Sequence, residues 1–259
     1  MKWLRFRFAD REGLGVLDGE HVRVCEGDLF AAPQPTGEVL PLAQIEWLPP
    51  VRPSKIVGLR NNLHAAAAKN GWAVPAEPLY FLKSPGSLTA HGATVPEPAG
   101  YDGRVVYEGE LALVIGRRAQ AVSAQEAAAC IFGVTCANDI TALELLNRDP
   151  SFAQWTRAKS FDGFCPLGPA IETEFDFAAA SVRTRVAGRE RQNYALADMI
   201  FAPAELVARI SRDMTLEPGD VILCGTSLGV LPMKPGSQVE VEIDGIGVLT
   251  NNYGAAAAG

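Results

Sequence analysis

The sequence predicts an α+β fold, mainly β, in which a small N-terminal β-rich domain precedes a larger domain. Three observations carry this expectation. Short runs rich in β-branched and aromatic residues outnumber helical patterns, the few helical candidates do not alternate regularly with strands, and proline-rich punctuation falls near residue 50. A doubly wound parallel sheet is disfavoured, because it needs strands and helices in alternation.

Taken in order, residues 1–50 read as short strands. Leu4, Phe6 and Phe8 alternate in parity with Trp3, Arg5 and Arg7, the pattern of a strand with one buried face. A charged turn follows at Asp10 to Gly13, and Val16 and then His21 to Cys25 read as further strand. Prolines at 33, 35, 49, 50 and 53 mark a boundary. The chain is therefore divided into residues 1–50, a main domain over 51–253 and an alanine-rich tail, 254–259, expected to be disordered. In the main domain, Arg104 to Ile115 (RVVYEGELALVI) has strand composition. Helical candidates are His64 to Asn70 closed by Gly71, Ala124 to Cys130, Ala142 to Asn147, and Ala204 to Met214. Glu217-Pro-Gly-Asp220 introduces the strand VILCG, and Asp244-Gly245 splits VEVEI from IGVLT as a hairpin turn does.

Composition narrows the function classes. The 259 residues carry 23 Lys and Arg against 30 Asp and Glu, a net charge of −7, so no basic surface is expected for a phosphate backbone and nucleic acid is not an expected partner. No apolar run approaches the roughly 18 residues of a membrane span, and the charged start MKWLRFRFADREG lacks the apolar stretch of a signal peptide. The expectation is a cytoplasmic protein without a membrane partner. Five cysteines (Cys25, Cys130, Cys136, Cys165, Cys224) show no Cys-x-x-Cys spacing and read as reduced, buried thiols. Gly225-Thr-Ser-Leu-Gly229 fits the serine-hydrolase pattern G-x-S-x-G, but the context opposes it. Gly229, Pro232, Pro235 and Gly236 discourage the required helix, and His21, His64 and His91 all precede Ser227. No phosphate-binding glycine loop is present.

The most informative residues are Glu108 and Glu110. In a strand, positions i and i+2 share one face at about 6.7 Å between Cα atoms, and that face continues as Ala112 and Val114. Two carboxylates about 4 Å apart repel by about 4 kcal/mol at an effective dielectric near 20. A divalent cation would remove that repulsion. A third acid, Asp139, ends the strand-like run from Ile131 to Asn138, and an all-carboxylate set suits Mg²⁺ or Mn²⁺. The spacing equally admits a solvated edge, with Asp139 capping the next helix. Against the cap, Thr141 with Glu144 three residues later already has the form of a capping box.

Seven ordered segments then make the chain resemble the fumarylacetoacetate hydrolase family from about Lys55 to Asn251. They are Lys55-Ile-Val-Gly-Leu-Arg-Asn-Asn-Leu-His64, Leu79-Tyr-Phe-Leu-Lys83, Tyr107-Glu-Gly-Glu-Leu-Ala-Leu-Val-Ile-Gly116, Ala137-Asn-Asp-Ile-Thr141, Ala158-Lys-Ser-Phe-Asp162 with Cys165-Pro-Leu-Gly-Pro169, Ala197-Asp-Met-Ile-Phe201, and Leu216 to Ser227. The resemblance implies a mixed β-sandwich roll, usually a homodimer, that holds Mg²⁺ or Mn²⁺ on Glu108, Glu110 and Asp139. It implies chemistry on 2-oxo carboxylates, with Lys159 as a second positive charge at the reacting centre, Gly225 and Thr226 receiving the substrate carboxylate, and Lys83 helping to line the pocket. His64 matches the histidine that activates water in hydrolytic members. Its acid partner, three residues on, is replaced by Ala67, and the arginine and glutamine that often follow the metal aspartate are replaced by Leu143 and Leu146, which implies a pocket wall more apolar than usual and a substrate whose distal end carries less charge.

The resemblance implies, first, hydrolytic carbon–carbon cleavage of an acylpyruvate-type substrate in aromatic-compound breakdown. Isomerisation or decarboxylation of an unsaturated 2-oxo dicarboxylate of the 2-hydroxyhepta-2,4-diene-1,7-dioate type is the alternative, favoured by the missing acid at position 67. A metal-containing 2-oxo acid binding module without turnover is the third reading.

Overall fold

The computed structural model describes residues 1–254; of the expected tail, residues 255–259 lie outside it. Gly254 is buried and donates its N–H to the Val95 carbonyl at 2.8 Å. The architecture is α+β and mainly β. Among the described residues, strands form a 12-stranded sheet, a 5-stranded sheet and a two-stranded ribbon.

At the centre lies the strand Gly109–Ile115, every residue of which is buried. Its two faces enter different cores. Leu111, Leu113 and Ile115 join Val182, Val239, Val241, Ile243 and Leu249 of the smaller sheet. Ala112 and Val114 join Ile56, Leu167, Ile171, Val221 and Leu223. Period-2 alternation therefore gives no polar face here, because both faces are covered.

The large sheet continues without a break into the N-terminal strands. Lys2–Phe8 pairs antiparallel with Cys165–Glu172, with Trp3 opposite Ile171. Leu4, Phe6, Val22, Val24 and Leu40 pack with Ala170 as a separate cluster, so the parity noted in residues 4–8 marks the face turned inward.

The α-helices among the described residues are four and short: α1 (His64–Asn70), α2 (Ala124–Cys130), α3 (Trp155–Lys159) and α4 (Pro203–Asp213). Gly71 ends α1 at φ +66, the left-handed conformation that glycine adopts without a Cβ clash. Pro203 opens α4, where its missing N–H costs nothing. Three expectations are corrected. Arg104–Ile115 is not one strand; it breaks at Tyr107–Glu108 into Val105–Val106, in the two-stranded ribbon, and Gly109–Ile115. Ala142–Asn147 is not an α-helix but the end of the short strand Thr141–Ala142 followed by a 3-10 turn, Leu143–Leu145. The capping box at Thr141 and Glu144 does not form either. The Thr141 hydroxyl donates to Glu108, and the Glu144 carboxylate accepts from the Tyr101 hydroxyl and the Arg104 N–H. Helix α3 carried no sequence signal strong enough to be expected.

Because Leu113 is fully buried between strands, Leu113→Ala is expected to remove about 2–5 kcal/mol of stability. The midpoint of thermal unfolding should fall by at least about 4 °C, as read by circular dichroism. A fall under about 2 °C would contradict this packing.

Candidate active site

Three carboxylates converge because of a strand register. The ladder between Gly109–Ile115 and Ile131–Asn138 places Gly109 opposite Asn138 and Glu110 opposite Ala137. Extending it by one residue places Asp139 opposite Glu108, and the Asp139 N–H donates to the Glu108 carbonyl at 2.8 Å. Cross-strand partners share a face, as do i and i+2. Glu108, Glu110 and Asp139 thus point to one side, each offering a ligand oxygen within 4.8 Å of the others. Glu110 and Asp139 are fully buried.

Two ammonium groups balance this charge in part. Lys159, at the end of α3, donates to Glu108 Oε2 at 2.9 Å and to Asp139 Oδ2 at 2.6 Å. Lys83, at the end of the strand Leu79–Lys83, donates to Asp139 Oδ1 and to the Phe164 carbonyl. Burial works against the charged form of Lys159, but Asp139, Glu108 and Glu110 outweigh it and hold the ammonium above the ordinary lysine value. Burial likewise opposes ionisation of Asp139, and Lys159 and Lys83 overcome it and keep the carboxyl below its usual range. Glu110 goes the other way: burial, then Asp139 and Glu108, push it well above the ordinary carboxylate value.

These residues fit a divalent cation. Glu110 Oε2 accepts the Gly225 N–H at 2.7 Å, while Oε1 is buried with no hydrogen-bond partner. A buried carboxylate oxygen left unpaired is costly, and a hard cation is the partner that oxygen donors suit. With all five groups ionised the cluster carries one uncompensated negative charge. A divalent ion would turn that into one positive charge, the sign an anionic substrate needs.

The cluster opens on a cavity of about 440 Å³. Glu108 and Lys159 line it, together with Leu143, Leu146, Trp155, Thr226 and Ser227. The two leucines expected as apolar substitutes do face the cavity. Arg60 and the neutral amides Asn61, Asn70 and Asn147 line it as well.

The other residues named from the sequence are placed as follows. Lys83 is fully buried behind Asp139 and is not among the cavity-lining residues. The Gly225 amide is committed to Glu110, so this glycine orients a carboxylate; its φ of +92 suits glycine. The Thr226 hydroxyl donates to the Gly109 carbonyl at 2.9 Å and accepts from Gln192 Nε2 at 2.8 Å. His64 is exposed in the first turn of α1 and is not among the cavity-lining residues; Ala67 is buried. His21 and His91 do not line the cavity either, so Ser227 has no histidine beside it there.

Sequence reasoning missed the supports. Gln192 accepts the Gly109 N–H at 3.0 Å and donates to Thr226, tying the smaller sheet to the mouth of the central strand. The Tyr194 hydroxyl reaches the carbonyls of Gly109, at 2.9 Å, and Gly225, at 3.3 Å. The two alternate within the strand Arg189–Ala195, so their shared inward face was a readable signal, but nothing local said what it would meet.

Comparisons with known proteins give the chain relatives. The family model described as fumarylacetoacetate (FAA) hydrolase C-terminal matches residues 55–253, and one described as Rv2993c-like, N-terminal, matches residues 1–50. The chain is 34% identical over 258 residues to a Bacillus subtilis protein named oxaloacetate tautomerase YisK, covering 89% of this chain and 85% of that protein. It is similar to a crystal structure of 2-hydroxyhepta-2,4-diene-1,7-dioate isomerase from Mycobacterium marinum, with TM-score 0.90, 36% identity and 99% of both chains covered. It is also similar to a maleylpyruvate hydrolase from Sphingobium sp. SYK-6 in complex with manganese(II) and pyruvate, with TM-score 0.80, 25% identity, and 99% of this chain and 100% of that chain covered.

If the three carboxylates hold a cation, Mg²⁺ or Mn²⁺ at about 100 times its dissociation constant should stabilise the chelator-stripped protein by about 2.7 kcal/mol. Thermal unfolding should then shift upward by about 5–10 °C. In Glu110→Gln the shift should shrink to under about 2 °C. Identical unfolding of the stripped and replete wild type would contradict the site.

Proposed function

The chain belongs to the fumarylacetoacetate hydrolase family, and from that membership we propose that it is a divalent-metal-dependent enzyme moving a proton within a 2-oxo dicarboxylic acid. The reaction is keto–enol tautomerisation or double-bond isomerisation, and it adds no water across a carbon–carbon bond. One observation carries this reading. The cavity holds a lysine kept charged beside the carboxylate cluster, while none of the chain's three histidines lines it and position 67 offers a buried alanine in place of an orienting acid. Charge stabilisation is in place; a general base for water is not.

Mg²⁺ or Mn²⁺ on Glu108, Glu110 and Asp139 would act as a Lewis acid toward the substrate's 2-oxo and carboxylate oxygens. The residues of the chain supply the rest. Lys159 places a fixed positive charge where negative charge develops on the 2-oxo oxygen; the proton leaving the adjacent carbon passes to solvent water in the open cavity, which returns it to the enol oxygen or to the far carbon of the isomer. Lys83 holds Asp139 from behind and fixes its orientation. Gly225 orients Glu110, and Gln192 with Tyr194 fixes the loop that carries Thr226. Leu143, Leu146 and Trp155 give the cavity an apolar stretch of wall. The names of the Bacillus and Mycobacterium relatives support proton transfer, since tautomerases and isomerases both leave the mass of the substrate unchanged.

A second reading, hydrolytic carbon–carbon cleavage, is supported by the likeness to the maleylpyruvate hydrolase and by the place of α1. That helix contributes Ala66 and Asn70 to the cavity wall and carries His64 in its first turn. Cleavage would require His64 to turn inward and act without an acid partner.

Product analysis by NMR, with oxaloacetate and an unsaturated 2-oxo dicarboxylate in Mg²⁺, separates the readings. The expected product is an isomer of unchanged mass, formed at least about 100-fold more slowly by Lys159→Met, in line with the loss of one preorganised charge. Pyruvate with a second acid would indicate hydrolysis instead, pyruvate with CO₂ decarboxylation, and metal-dependent binding without product a module that does not turn over.

A further inference from the structure

Lys159 is not the cavity's only cation. Arg60 ends the strand Ile56–Arg60, and the chain turns sharply after it at Asn61, whose φ of +57 is left-handed, a conformation asparagine tolerates better than most residues. The Arg60 guanidinium lies 3.8 Å from the centroid of the Trp72 ring and 5.8 Å from that of Trp155. Trp155 in turn stacks on Phe81 at 5.1 Å, and the Lys159 ammonium sits 5.0 Å from the Phe81 ring. An aromatic shelf thus runs along one wall from Arg60 to Lys159, with a cation at each end.

The two cations differ in what they have left to offer. Lys159 is engaged by Glu108 and Asp139. Among the described residues Arg60 has no carboxylate within ion-pair distance, and its guanidinium makes no hydrogen bond. Stacking uses the face of a guanidinium and leaves the N–H groups at its edge free for a planar, two-pronged acceptor. Among the described residues Glu108 is the one acid lining the cavity; its carboxylate accepts from Lys159 and Thr141, and its charge partly offsets the burial that works against the Arg60 guanidinium without forming an ion pair with it.

We propose that Arg60, steadied on Trp72, selects dicarboxylic substrates by binding the carboxylate at the end remote from the 2-oxo group. The proposal rests on the reading of the cluster as a 2-oxo acid site, and it assigns to Arg60 the distal charge that Leu143 and Leu146 do not provide.

Calorimetric titration in Mg²⁺ with 2-oxoglutarate and 2-oxopentanoate tests it without turnover, since the two ligands have the same chain length and differ in the distal carboxylate. The wild type is expected to favour 2-oxoglutarate by about 10- to 100-fold, the range of a charge-assisted hydrogen-bonded pair. In Arg60→Met that ratio should fall below about threefold, and Arg60→Lys, which keeps the charge and loses the fork, should fall between. Trp72→Leu should also lower it. A wild type without preference, a ratio that survives Arg60→Met, or an equal loss for both ligands would overturn the assignment. A wild type that shows the preference and yet forms no metal-dependent product would leave Arg60 in its role and remove the catalytic reading instead.

Discussion

Three carboxylates on one buried face, with two ammonium groups to balance them, are the constraint around which the structure is organised. At such short separations in a poorly solvated interior the mutual repulsion of the acids is worth several kcal/mol, and the fold answers it from several directions. Lys159 arrives from α3, Lys83 from Leu79–Lys83 at the edge of the large sheet, and the Gly225 amide from the loop after Val221–Leu223. Each satisfies one or two oxygens. Thr141 takes Glu108 Oε1, and the one carboxylate oxygen of the three acids left without a partner, Glu110 Oε1, is the one a cation would complete.

The geometry depends on backbone pairing more than on the side chains themselves. A slip of one residue between Gly109–Ile115 and Ile131–Asn138 would send Asp139 to the opposite face from Glu108. That register is held from both sides: Leu111, Leu113 and Ile115 are committed to one core, and Ala112 and Val114 to the other. Gln192 and Tyr194 add hydrogen bonds at the point where the central strand begins, so the smaller sheet takes part in placing the acids. Burial of the strand and the chemistry at its end are one arrangement.

Much of this was legible in the residues. The i, i+2 spacing of Glu108 and Glu110 with Ala112 and Val114 beyond them already placed two acids at the mouth of an apolar strand. The mainly-β class and the helices at His64–Asn70 and Ala124–Cys130 also follow from local patterns. What could not be read was set by distant partners. Thr141 and Glu144 look like a capping box because the motif is local, but their side chains are taken by Glu108, Tyr101 and Arg104, more than thirty residues away. Lys83 and Lys159 are expected at the site only through the resemblance; nothing local to either says that Asp139 would lie between them. Arg60 gave no signal, since its partners are aromatic rings from Trp72 and Trp155 in separate segments.

The most direct test of a shared cation is anomalous diffraction from crystals grown with Mn²⁺. The account predicts one strong peak about 2.0–2.3 Å from an oxygen of each of Glu108, Glu110 and Asp139, with the Glu110 oxygen that does not face Gly225 among its ligands. A peak elsewhere, or a fully occupied ion that leaves Glu110 uncoordinated, would contradict it.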